Sequence, residues 1–456
     1  MVFLHCAQLV RPGSITRNVR IEADAAGRIA SLRPNVEPST GDLRLGTVFP
    51  GFANAHSHAF HRLLRGTTHA DGGDFWQWRD SMYHLAGLLD PALMFLIARA
   101  VFAEMLVSGY TAVGEFHYLH HRVNGSPYLP AHAMERAIAD AAREVGIRLV
   151  LLDACYLDGA IGRPLSSEQK RFGDATAAHW LARWRALRPV IEGEGVTLGA
   201  AIHSVRAVSP SAMAEIRDAL GPDTPLHIHV SEQPKENSDC VAEYGETPIG
   251  VLATLGMLSS RLSIIHATHL TDADRAEISA SGCTVVMCPT TEADLGDGIG
   301  PAFDLAARGT PIAIGSDQNA VIDPLLELRG LEAGERLASG RRGRFAPAAL
   351  LAAGTATGYA SLGISRSILA NGDPCDLVEL NPASRRTFGS APAQLLLSAS
   401  ASDVQRVIVG GAVVAENGSL TGTSIVRPED LLAEALAAVA VAVAVAVAVA
   451  VAVDRS

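Results

Sequence analysis

Lysine is almost missing from this chain: Lys170 and Lys235 are the only two in 456 residues. Basic residues number 37 against 48 acidic ones, the formal charge is −11, and no run of five basic residues occurs. That removes the electrostatic footprint of a nucleic-acid binder. The six cysteines, Cys6, Cys155, Cys240, Cys283, Cys288 and Cys375, form no C-x-x-C pair. A disulfide framework or a cysteine zinc site is therefore not expected, and a reduced cytoplasmic setting is. No G-x-G-x-x-G or G-x-x-x-x-G-K-[ST] follows an apolar run, which sets aside dinucleotide and P-loop folds. Met1 to Val10 carries no positively charged leader pattern. What the chain does have is a globular balance, 48% hydrophobic and 19% charged, and sixteen histidines, several of them clustered.

Short β segments bracket a long middle. Val19 to Asp24 and Arg28 to Leu32 alternate around a turn at Ala26-Gly27, and Cys375 to Leu380 and Arg406 to Gly411 read as strands near the other end. Residues 1–48 and 370–425 are expected to pair into one small β-sandwich-like domain. Between them run eight apolar segments with helical stretches between: Thr47 to Ala55, Thr111 to His117, Arg148 to Cys155, Thr197 to His203, Leu226 to His229, Leu262 to His266, Thr284 to Cys288 and Ile312 to Ser316. Near-continuous apolar runs suit strands buried on both faces. Eight strand–helix units predict an α/β (β/α)₈ TIM-type barrel over 49–369, with its chemistry at the C-terminal strand ends. Residues 426–456 form a tail in which alanine and valine alternate strictly from Ala438 to Val453. As a helix it is about long enough to cross a bilayer, but Glu434 interrupts it and no positive cluster flanks it. A dispensable low-complexity extension, with no membrane partner, is the expectation.

Chemistry-bearing residues sit at the ends of these runs. His56-Ser57-His58 places two imidazoles on one side of a strand, where both reach one cation; an isolated pair of this kind is also common in cores and on surfaces. His227-Ile228-His229-Val230-Ser231-Glu232 ends the fifth run. His229, nearer the strand end, is the better ligand, and Glu232 is placed to shuttle protons. His266 closes the sixth run and Asp317 follows the eighth. Asp317 can bind a metal and accept a proton, or simply cap a helix.

An H-x-H on the first strand, H-x-x-E on the fifth, a histidine on the sixth and an aspartate on the eighth resemble the amidohydrolase superfamily of metal-dependent barrels. The resemblance covers about residues 1 to 425, flanking β segments included. Binuclear members carry a carboxylated lysine on the fourth strand. Here that run reads Ala200-Ala201-Ile202-His203-Ser204-Val205-Arg206, so the resemblance implies one divalent metal held by His56, His58, His229 and Asp317. Zinc suits that donor set and iron is compatible. It further implies a hydrolytic deaminase in which Asp317 takes a proton from the attacking water, His266 stabilises the tetrahedral centre and Glu232 serves the leaving nitrogen.

Five segments narrow the resemblance to the formimidoylglutamate deiminases of histidine degradation: His56 to Phe60, Phe75 to Arg79, Glu115 to His121, His203 to Val208 and Thr291 to Gly298. The implied substrate is a small dicarboxylate, N-formimidoyl-L-glutamate. Arg79 and Arg206 would each fork onto a carboxylate, with Tyr118, His203 and His61 lining the same pocket. His61 stands where the family often has glutamine, and Gln318-Asn319 where a serine–histidine pair is familiar. The expected assembly is a homodimer. An aminohydrolase acting on a guanine, adenosine or triazine-type ring is the alternative reading.

Overall fold

The computed structural model describes residues 1–68, 75–365, 368–422 and 425–454, with side chains through Ala448. Among the described residues sixteen strands form two sheets. One gathers β1 (Val2–Arg11), β2 (Ser14–Ala23), β3 (Ile29–Arg33) and β4 (Leu43–Pro50) from the beginning of the chain. The barrel strands follow: β5 (Phe52–Ser57), β6 (Tyr110–His117), β7 (Arg148–Cys155), β8 (Val196–Ser204), β9 (Leu226–Val230), β10 (Leu262–His266), β11 (Thr284–Met287) and β12 (Ile312–Ile314). β13 (Leu377–Leu380), β14 (Val404–Val409), β15 (Ala412–Glu416) and β16 (Ser419–Leu420) return to the first sheet. The helices are α1 (Phe75–Leu88), α2 (Pro91–Val107), α3 (Ala133–Val145), α4 (Ala177–Ile191), α5 (Pro210–Ala219), α6 (Pro234–Tyr244) and α7 (Pro248–Thr254). They continue as α8 (Asp272–Ser281), α9 (Pro289–Leu295), α10 (Ala302–Ala307), α11 (Pro324–Ser339), α12 (Pro347–Gly354), α13 (Ala356–Ser361) and α14 (Pro428–Asp454).

β5 to β12 lie side by side in sequence order, all parallel, each followed by helix: the chain is a (β/α)₈ barrel. Seven of the eight apolar runs are these strands to within a residue or two. The first run is different. Thr47 to Ala55 is apolar but for Thr47 and Asn54, yet it breaks at Gly51 into two strands of two sheets, since β4 pairs with β1 and β13. Glycine is required there because an added Cβ would collide with the Thr111 side chain. The terminal strands make one eight-stranded sheet, ordered β16-β15-β14-β13-β4-β1-β2-β3, separate from the barrel strands.

Local chemistry sets the helix starts. Asp90-Pro91, Ser209-Pro210, Thr247-Pro248 and Asp323-Pro324 each place an oxygen cap before a proline at the first helical position. The cap satisfies a free N–H, and the proline has none to satisfy. The tail is helical, not extended. α14 packs along α2 and α1, with Ala435 fully buried and Leu431 nearly so. Among the described residues α14 is the one helix long and apolar enough to cross a membrane.

Candidate metal centre and active site

The barrel closes where β5 meets the end of β12. The backbone N–H of Asp317 donates to the His56 carbonyl at 3.0 Å, and His58 N–H donates to the Asp317 carbonyl at 2.9 Å. This seam brings the first-strand histidines against the last-strand carboxylate. His56 Nε2 and His58 Nε2 stand 3.3 and 3.5 Å from Asp317 Oδ1. His229 arrives from β9, its Nε2 3.1 Å from His56 Nε2 and 3.3 Å from that of His58. All four residues are buried. Asp317 and His266 take left-handed backbone angles, φ 42° and 69°, strain that functional strand ends tolerate.

The donor set fits a cation. His58 Nδ1 bonds to the Phe116 carbonyl at 2.8 Å and His229 Nδ1 to the His203 carbonyl at 2.9 Å. A carbonyl accepts only, so both Nδ1 atoms carry hydrogen and, in the neutral rings, both Nε2 atoms are bare. Burial pushes the pKa of His56, His58 and His229 down, His58 to about 3, and repulsion from neighbouring histidines adds to it. Two bare lone pairs facing each other at 3.3 Å repel unless a positive ion lies between them. Tetrahedral ligands at zinc–nitrogen distances of about 2.0–2.1 Å sit ~3.3 Å apart, the spacing found here. His227, the neighbour passed over as a ligand, turns away and bonds the Ser361 carbonyl.

His266 lies beside the cluster, its ligand atom within 4.8 Å of those of His56, His229 and Asp317. Its Nε2 is 3.8 Å from Glu232 Oε1 and 3.7 Å from Asp317 Oδ2, and its Nδ1 donates to Glu292 at 3.4 Å. Burial would lower its pKa, but Glu232, Glu292 and Asp317 overcome that and raise it to about 10. His266 is thus held among three carboxylates. Glu232 faces it on one side and on the other accepts from Arg206 Nη2 at 3.1 Å.

That contact changes the reading of Arg206. Its own strand end holds no acid, which pointed to a substrate carboxylate as its partner. The structure supplies Glu232 at 3.1 Å and Glu236 at 3.6 Å, from the loop after β9 and from α6. Arg206 still lines the cavity beside the cluster, as do Arg79, Tyr118, His203 and His61. This cavity has a volume of about 540 Å³, within the range of small-molecule sites. Arg79 stacks over the Trp76 and Tyr83 rings, 4.5 and 5.5 Å from their centroids. No ion pair to a carboxylate is recorded for Arg79 among the described residues. His61 Nε2 meets the Tyr118 hydroxyl at 2.9 Å, and burial keeps this imidazole neutral. His203 is likewise neutral, from burial and the nearby Arg206.

Sequence reasoning assigned no role to several supports. Glu115 accepts the Ala59 N–H at 2.6 Å and so fixes the turn between His58 and His61. Asn319 donates to the His58 carbonyl at 3.0 Å, and Gln318 to Asp294 at 2.6 Å. Tyr156 and Trp78 line the cavity. Tyr156 directly follows β7, so the strand-end rule that found His266 could have found it too.

Comparison with known proteins agrees with this geometry. The amidohydrolase family model matches residues 47–414. Formimidoylglutamate deiminase of Pseudomonas aeruginosa is 37% identical over 426 residues, covering 90% of this chain and 94% of the relative. The 8-oxoguanine deaminase of the same organism is 28% identical and covers 83% of this chain and 84% of its own. A crystal structure of an amidohydrolase from Brucella melitensis superposes with a TM-score of 0.89 at 34% identity, covering 96% and 100% of the two chains. An adenosine deaminase from Xanthomonas campestris, solved with bound zinc, gives 0.80 at 22% identity over 95% and 96%. The chain belongs to the amidohydrolase family, as a hydrolase with the deaminases among its relatives.

Proposed function

We propose that this enzyme hydrolyses N-formimidoyl-L-glutamate to N-formyl-L-glutamate and ammonia. The observation that carries the reading is the pairing, in one cavity, of the histidine–aspartate cluster with two arginines, Arg79 and Arg206. A flat purine has no charge to engage them; a dicarboxylate engages both. The 37% identity to a formimidoylglutamate deiminase supports the same substrate. His56, His58, His229 and Asp317 would hold one divalent metal, zinc by donor type. When bound, that metal supplies Lewis acidity and makes water a nucleophile near neutral pH.

The chain's own groups do the rest. Asp317 accepts a proton from the attacking water. His266, 3.7 Å from Asp317 and 3.8 Å from Glu232, stabilises the charge that builds on the oxygen and nitrogen of the tetrahedral centre formed at the formimidoyl carbon. Glu232 delivers a proton to the departing nitrogen, which leaves as ammonia. Arg206 plays two parts: it keeps Glu232 oriented in the free enzyme, and it turns toward a substrate carboxylate when one arrives. Arg79, braced by its aromatic neighbours, takes the other carboxylate. The enzyme is expected to work in the cytoplasm on this small solute. The test is ammonia release from N-formimidoyl-L-glutamate with formylglutamate identified as the co-product. Turnover of 8-oxoguanine or an adenosine derivative with none of formimidoylglutamate would overturn the reading in favour of a purine aminohydrolase.

A further inference from the structure

The described end of α14 has no partner. On its first turns Leu431 and Ala435 are buried, and Ala438, Val439 and Ala442 are packed against the body, along a face that α2 and α1 cover. Past Ala442 that contact ends. Val443, Val445 and Val447 are exposed by 38, 57 and 58%, and Val441 by 64%. In a helix, residues two apart point nearly opposite ways, so alternating valines spread around the axis instead of lining one stripe. The result is a rod that is apolar on all sides. By sequence no charged residue occurs from Ala435 to Val453. Past Ala442 the eleven positions Val443 to Val453 measure ~16 Å at 1.5 Å per residue, about half of a ~30 Å bilayer hydrocarbon core, so the rod reaches into one leaflet.

A helix that is apolar all round is at home in a protein interior or a bilayer. A helix pairing with a second copy needs one apolar seam and keeps its remaining faces polar; here no face beyond Ala442 is polar. A helix also meets the other demand of lipid, since its backbone groups bond within it. We propose that α14 anchors the enzyme to a lipid bilayer, its first turns docked on α2 and its alanine–valine rod inserted among acyl chains. This reverses the expectation of no membrane partner drawn from composition. It stands independently of the substrate reading. The flanks lack a basic cluster, so the attraction is apolar and needs no anionic headgroup.

The test is flotation of the full chain with phosphatidylcholine vesicles in a density gradient, at low and high salt. Co-flotation is expected at both salt levels. Val445→Asp combined with Val447→Asp should abolish it and leave the thermal midpoint unchanged, because both side chains face away from the body. A full chain that stays in the dense fraction overturns the proposal, as does a double variant that floats like the parent. If the chain fails to float but is a dimer by light scattering, and the double variant is a monomer, the rod belongs to a second copy and the anchor is wrong.

Discussion

Two buried histidine–carboxylate clusters lie toward the same end of the barrel. One contains His56, His58, His229 and Asp317, with His266 and His61 beside them; the other contains His117, His120 and Glu135. By residue type both could hold a cation, but their hydrogen bonds differ. In the second cluster His120 uses both nitrogens, Nδ1 to Glu135 at 2.8 Å and Nε2 to the Ala154 carbonyl at 2.9 Å. Arg183 then bonds Asp153 at 2.8 and 2.9 Å and Asp174 at 3.0 Å, and approaches Glu135 at 3.3 Å. An internal guanidinium already provides the positive charge. In the first cluster no arginine or lysine enters among the described residues, and bare imidazole nitrogens converge on one point. A ligand count cannot separate a binding site from a strut. The position of each proton and the source of the compensating cation can.

The sharpest way to break the contrast is to remove a ligand from the first cluster. His56→Ala should lose the metal and with it more than ~10⁴-fold in turnover, since both the activated water and its orientation go. Metal analysis and ammonia release read it; a variant that stays metal-loaded and active would remove His56 from the centre. Glu232→Gln comes next. It should keep the metal and lose ~10²–10⁴-fold in kcat, the cost of a missing acid–base group. Loss of metal instead would make Glu232 a ligand. Third, Arg79→Met and Arg206→Met should each lower kcat/KM for formimidoylglutamate by ~10²-fold, about 3 kcal/mol, with metal content unchanged. The Arg206 variant should also lower kcat, because Glu232 loses its partner; the Arg79 variant should act mainly on KM. The smallest catalytic effect belongs to the second cluster. Arg183→Met leaves three buried carboxylates short of their cation, so stability should fall by ~3–5 kcal/mol. The folded fraction should keep its metal and its turnover, as denaturation and metal analysis would report.

Much of this was legible in the sequence, for identifiable reasons. Strands buried on both faces are continuous apolar runs, so Arg148 to Cys155 and Leu262 to His266 were readable to the residue. The rule that barrel strands end in chemistry then located His229, His266 and Asp317. Hydropathy could not mark the break at Gly51, because the residues on either side are equally apolar and only contact with Thr111 requires it. The partners of Arg206 were hidden for another reason. Glu232 and Glu236 lie 26 and 30 positions away, just past the next strand and in the helix after it. The carbonyls of Phe116 and His203 that set the imidazole protons are backbone groups, and no side-chain pattern encodes them.

The claim that one cluster binds a metal and the other closes on itself is tested most directly by counting. Purified protein, dialysed free of loose ions, should contain one divalent metal per chain by elemental analysis. His117→Ala should leave that count unchanged, and His229→Ala should bring it to zero. Two metals per chain, one of them lost in the His117 variant, would contradict the account.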